Sequence, residues 1–121
     1  MPKGKILIVD DEPDIVEVLG DRLEAWGFGV RAVSNARACY AAVTEEAPDL
    51  ILLDIQMPEI SGMEALVELK THHPRIPVLM ISASTARNAA RESMAKGAAG
   101  FVLKPFEPED LKQKIAEILQ P

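Results

Sequence analysis

Apolar positions along the chain follow two alternating rhythms. Short runs rich in Val, Ile, Leu or Phe stand at "KILIVD" (5–10), "FGVRAV" (28–33), "LILLD" (50–54), "VLMIS" (78–82) and "GFVLK" (100–104). Four of these five lack a clean polar alternation, as strands covered on both faces do. "FGVRAV" carries Arg31 in its middle and reads as an edge strand. Between the runs, apolar residues recur at helical spacing. Pro13 suits a first helical position, and Val16, Leu19, Leu23 and Trp26 mark one face until Gly27 stops the helix. Ser34 is placed to cap a second helix, about 35–46, closed by Pro48. A third helix is predicted over about 62–72, with Met63, Leu66, Val67 and Leu69 on its apolar side. The fourth, about 85–96, is Ala-rich and weakly amphipathic, with Gly97 as its stop. Pro108 opens the fifth, which turns Leu111, Ile115, Ile118 and Leu119 inward.

Strand and helix in repeated alternation predict a parallel sheet with helices on both faces. In such sheets ligands gather outside the carboxyl ends of the strands, where the strand order reverses. The first strand ends in Asp10-Asp11, with Glu12 next; the third ends in Asp54, the fourth in Ser82, and the fifth in Lys104-Pro105. A carboxylate after four apolar residues is costly unless something receives it. Asp10, Asp11 and Asp54 crowded together would repel one another as bare anions. Hard oxygen ligands suit Mg²⁺, which takes one or two carboxylates, keeps waters and shares a phosphate. Lys104 offers a cation, and Ser82 a hydrogen-bond donor, to phosphoryl oxygens. An aspartate beside a metal, an ammonium and a hydroxyl is equipped to be phosphorylated.

Composition narrows the setting. A chain of 121 residues, 48% hydrophobic and 26% charged, fits one ordinary domain. Its net charge of −6 argues against a nucleic-acid surface. Cys39 is the sole cysteine, so an internal disulfide is ruled out, in keeping with a reducing cytoplasm. No apolar run is long enough to span a bilayer.

"ILIVDDEPDI", "LLDIQMPEISGMEAL", "MISAS" and "GFVLKPF", in that order and separation, resemble the receiver domain of two-component response regulators, the CheY-like superfamily. The resemblance runs from Lys5 to about Leu119. It implies a doubly wound (βα)5 flavodoxin-like domain with strand order 2-1-3-4-5, one receiver over 1–121 (core about 5–119) and no output domain. It implies that Asp54 takes a phosphoryl group from a histidine of a sensor kinase or phosphotransfer protein. Asp11 matches the direct ligand of Mg²⁺ (or Mn²⁺), Asp10 its water-bridging neighbour, and the main-chain carbonyl of Gln56 a third ligand. Lys104 matches the phosphoryl-binding lysine, with a cis bond to Pro105. Ser82 and Phe101 match the switch hydroxyl and switch aromatic, while Gln56 and Ser84 occupy positions that tune phosphoryl lifetime. The readout face, and a possible homodimer contact, would be the fourth helix, fifth strand and fifth helix. Ile15 and Val18, set outward of the first helix's core stripe, are candidates for docking the phosphohistidine partner.

Single residues admit other readings. Asp10-Asp11 alone also fits a capping cluster before Pro13, and Ser82 and Lys104 singly fit an ordinary turn and strand end. Their coincidence at neighbouring strand ends favours the phosphoacceptor. Pro58 is expected to stiffen the loop after Asp54, and Gly62 to supply a backbone angle that other residues resist. Cys39 and Trp26 read as core. His72 and His73 are adjacent on a helix and make a poor metal pair. An aspartate-nucleophile phosphatase would want an acid where Gln56 stands, and a flavin carrier would want a phosphate loop where "DDEPD" would repel one. A receiver-like interaction module that is never phosphorylated would typically lack one of the acids or the lysine. Crowded carboxylates further imply that Mg²⁺, or Asp54→Asn without metal, stabilises the fold.

Overall fold

A computed structural model describes residues 4–83 and 87–119. Along the chain run β1 (Lys5–Val9), α1 (Pro13–Ala25), β2 (Gly29–Val33), α2 (Ala36–Glu45), β3 (Leu50–Asp54), α3 (Gly62–His72), β4 (Val78–Ser82), α4 (Arg87–Ala95), β5 (Gly100–Leu103) and α5 (Pro108–Leu119). The strands form one sheet in the order β2-β1-β3-β4-β5, every pair parallel, and β2 lies at an edge. The order is the one expected of a doubly wound flavodoxin-like domain.

Because side chains alternate along a strand, each central strand feeds two cores. Leu7, Val9, Ile51, Leu53, Val78 and Met80 pack against Ala36, Cys39, Ala42 and Val43 of α2 and Ala65, Leu66 and Leu69 of α3. On the other face, Ile6, Ile8, Leu50, Leu52, Leu79 and Ile81 meet Leu19 and Leu23 of α1 and Leu111 and Ile115 of α5. β3 and β4 are buried throughout, whereas the middle of β2 is exposed at Arg31 and Ala32. The unbroken apolar runs and the interrupted one thus separate centre from edge.

The ends of the helices show where local chemistry was misread. α2 is capped by Asn35, whose Oδ1 accepts from the Ala38 N–H at 2.8 Å, and not by Ser34. Both residues are good caps; the extended backbone at Asn35 (φ −158°) decides between them. Gly27 (φ +98°) ends α1, with its N–H bonded to the Glu24 carbonyl and the Phe28 N–H to that of Leu23. That paired arrangement needs a residue at ease in the left-handed region. Trp26 is only partly buried, and the Lys112 ammonium lies 5.8 Å from its ring centroid. Ile15 is half-buried against the same core as α1, so its outward placement is corrected; Val18 is 57% exposed. His72 pairs with Glu68 at 3.2 Å.

The loop from β3 to α3 is irregular. Glu59 has φ +65°, and the Ile60 N–H reaches back to the Pro58 carbonyl at 2.8 Å, closing a three-residue turn. Gly62 does not take a left-handed angle, contrary to expectation. Its requirement is space: a Cβ there would lie 2.1 Å from the Asp54 carbonyl oxygen and 2.5 Å from the Ile55 Cα. The Gly62 N–H bonds to the Ile55 carbonyl at 2.7 Å, so α3 starts hard against the end of β3.

Candidate functional site

Register brings the acids together. Val9 is level with Leu53, so the next residues, Asp10 and Asp54, leave adjacent strands side by side. Both carboxylates are buried, at 2% and 3% exposure. Charges this enclosed must be paired. Lys104, immediately after β5, supplies the partner: its Nζ lies 2.8 Å from Asp10 Oδ2, 3.1 Å from Glu12 Oε1 and 3.7 Å from Asp54 Oδ1. The Lys104–Pro105 bond is cis, as expected.

One ammonium among several carboxylates leaves the site short of positive charge. Burial first, and the charge of Asp10 second, push the Asp54 carboxyl up to about 6, while Lys104 and the Gln56 N–H hold it down only in part. The Gln56 N–H donates to Asp54 Oδ1 at a long 3.4 Å. Burial pulls the Lys104 ammonium down, but hydrogen bonds to Asp10 and Glu12 and the charge of Asp54 outweigh it and leave it raised.

Oxygens of Asp10, Glu12 and Asp54 all lie within 4.8 Å of one another. Hard, clustered, under-neutralised carboxylates of this kind fit a divalent cation such as Mg²⁺. In the sequence Glu12 only follows Asp10-Asp11, and no role is assigned to it. Its backbone holds the N-cap position of α1, but its side chain makes no capping bond and turns to Lys104. Asp11 is exposed outside that close trio, though near enough to add to the negative charge felt by Asp54. Gln56 is exposed two residues beyond β3.

Ser82 is fully buried at the end of β4, and its carbonyl accepts from the Lys104 N–H at 2.8 Å. Phe101 is half-buried against the core shared with α2 and α3 and lines a groove with Leu103, Phe106, Asp110 and Lys114. Ser84 lies outside the described residues. Asp10, Asp54 and Lys104 are thus in one place, with Ser82 joined to the Lys104 backbone; Ile15 and Val18 belong to the adjoining helix.

Known proteins resemble this chain in sequence and fold. The family model described as "Response regulator receiver domain" fits residues 6–116. The regulatory protein AtoC of Escherichia coli is 34% identical over 117 residues, covering 97% of this chain and 25% of that protein. The transcriptional regulatory protein ZraR of Klebsiella oxytoca is 36% identical over 114 residues, covering 94% and 26%. The chain therefore spans about a quarter of the length of these relatives. A putative response regulator from Chloroflexus aurantiacus superposes over the full length of both chains with a TM-score of 0.94 at 28% identity. The receiver domain of NtrX from Brucella abortus does so over 95% of this chain and 98% of its own, with a TM-score of 0.91 at 34% identity. With a family model over residues 6–116 and relatives above 30% identity across nearly all of it, the chain belongs to the receiver-domain family of two-component response regulators.

Proposed function

We propose that this receiver accepts a phosphoryl group on Asp54 and reports it as a change of conformation. The observation that carries the reading is the Lys104 ammonium poised 2.8 Å from Asp10 and 3.7 Å from Asp54 at a buried strand end. Asp54, pushed up to about 6, is still ionised at neutral pH and able to act as a nucleophile. Its oxygen attacks the phosphorus of a phosphohistidine on a sensor kinase or phosphotransfer protein. The new P–O bond forms as the P–N bond breaks, and the electron pair returns to the imidazole, which takes up a proton. Lys104 exchanges a carboxylate for a phosphoryl oxygen, and Ser82 donates to another. Asp10, Asp11, Asp54 and the Gln56 carbonyl would hold Mg²⁺ (or Mn²⁺), whose charge offsets that spread over the transferring oxygens. Later attack by water on phosphorus releases phosphate and restores the carboxylate. On this reading the chain is a phosphoacceptor that turns over only its own acyl phosphate, with no external substrate to process.

The readout is assigned to α4, β5 and α5, because Ser82 and Phe101 flank that face. The same face is the candidate homodimer contact. Gln56 and Ser84 would set how long the phosphoryl group lasts. Val18, exposed on α1, remains a candidate contact for the donor, as does the half-buried Ile15 three residues before it; Val18→Ala tests this by the rate of transfer from that partner. Among the described residues no helix is long and apolar enough to cross a membrane, and a cytoplasmic setting fits the proposed partner.

Mass spectrometry after incubation with acetyl phosphate and Mg²⁺ tests the central claim. We expect a gain of one phosphoryl group in the native chain and none in Asp54→Asn. No gain, or an equal gain in Asp54→Asn, would leave a receiver fold acting only as an interaction module.

A further inference from the structure

We infer that Glu12 is a positioning residue that latches Lys104 in the unphosphorylated state and must release it before the phosphoryl group can be bound. The inference rests on the proposed phosphoacceptor role and assigns a function to a residue outside the expected machinery. Lys104 Nζ stands nearer to Glu12 Oε1, at 3.1 Å, than to Asp54 Oδ1, at 3.7 Å. Its other bond, 2.8 Å to Asp10, is with a carboxylate that is itself fixed by accepting the Glu12 N–H at 2.9 Å. Glu12 therefore acts on the ammonium twice, directly through its side chain and indirectly by orienting Asp10.

Two features separate a latch from an incidental ion pair. Glu12 occupies the N-cap position of α1 yet makes no side-chain capping bond, so its carboxylate is committed to Lys104 and not to the helix. The two partners also differ in burial: the Lys104 side chain is 8% exposed and Glu12 58% exposed. The buried ammonium stays where it is needed, while the carboxylate can swing into water at little cost when a phosphoryl oxygen replaces it. A latch of this strength slows transfer without preventing it.

The test compares phosphorylation rates of the full chain with acetyl phosphate and Mg²⁺ in the native protein, Glu12→Gln, Lys104→Ala and the double variant. Asp14→Asn, which removes an acid from the first turn of α1, controls for charge alone. We expect Glu12→Gln to raise the rate about two- to fivefold, the scale of one partly exposed ion pair. In the Lys104→Ala background the same change should do nothing, because the partner is gone. Calorimetric titration with Mg²⁺ in the absence of donor checks the alternative that Glu12, whose carboxylate lies with those of Asp10 and Asp54, serves the metal instead. A tenfold loss of Mg²⁺ affinity would make Glu12 a metal ligand and overturn the latch. An unchanged rate, an equal gain in the Lys104→Ala background or an equal gain in Asp14→Asn would overturn it too. Failure of the native chain to be phosphorylated would remove the phosphoacceptor reading and the latch together, and is seen before any Glu12 variant is compared.

Discussion

Between its ordinary value of 3.8 and about 6, Asp54 in the metal-free fold keeps a proton that the unfolded chain has already released. Stability therefore falls as pH rises through that window, opposite in sign to an acid held by a salt bridge. The cause is burial and the neighbouring Asp10, so Asp54→Asn should flatten the dependence. Above pH 6 the variant should be more stable by about 1–3 kcal/mol, measured as urea unfolding at a series of pH values without metal. The identity of the crowded residues was legible because four apolar residues cannot lead into a carboxylate without a reason. Glu12 was not legible: it stands beside Asp10-Asp11 with nothing to mark it, and only its reach to Lys104, 92 positions away, reveals its partner. Ile15 was misplaced for a related cause, since the width of a helix's buried stripe depends on what packs beside it.

At the scale of elements, the strands were readable because burial on both faces writes itself as unbroken apolar runs, and the edge strand because Arg31 interrupts one. Caps were less so: Ser34 and Asn35 are both competent, and the choice lies in a backbone angle. Gly62 was recognised as special for the wrong reason. A sequence can suggest a glycine's dihedral freedom, but not that the carbonyl ending β3 will stand where its Cβ would be. The atoms that crowd it are backbone, which cannot turn aside. Gly62→Ala should therefore cost about 2–3 kcal/mol and move the Asp54 peptide. Chemical denaturation reads the first effect, and loss of phosphorylation at equal folded fraction reads the second.

The whole molecule is organised by a sheet that delivers Asp10, Asp54 and Lys104 to one end and its apolar residues to two faces. The topology could be foreseen because right-handed crossovers and an edge-marked second strand leave few arrangements. The site could be foreseen in outline because the rule about carboxyl ends of parallel strands is general. Charge neutralisation at that end should be felt globally. Thermal melts with millimolar Mg²⁺ should show a higher midpoint than melts with chelator, and Asp54→Asn should lose most of the difference.

Cys39, wholly enclosed between α2 and the sheet, has its thiol pushed up to about 12 by burial. In the native fold it is shielded from alkylating reagents and is almost never a thiolate. Modification must then wait for the chain to open, so labelling speed becomes a clock for opening. Timed iodoacetamide trapping, with and without phosphodonor, would follow how signalling loosens or tightens the α2 side of the molecule, using a probe that the chain already carries.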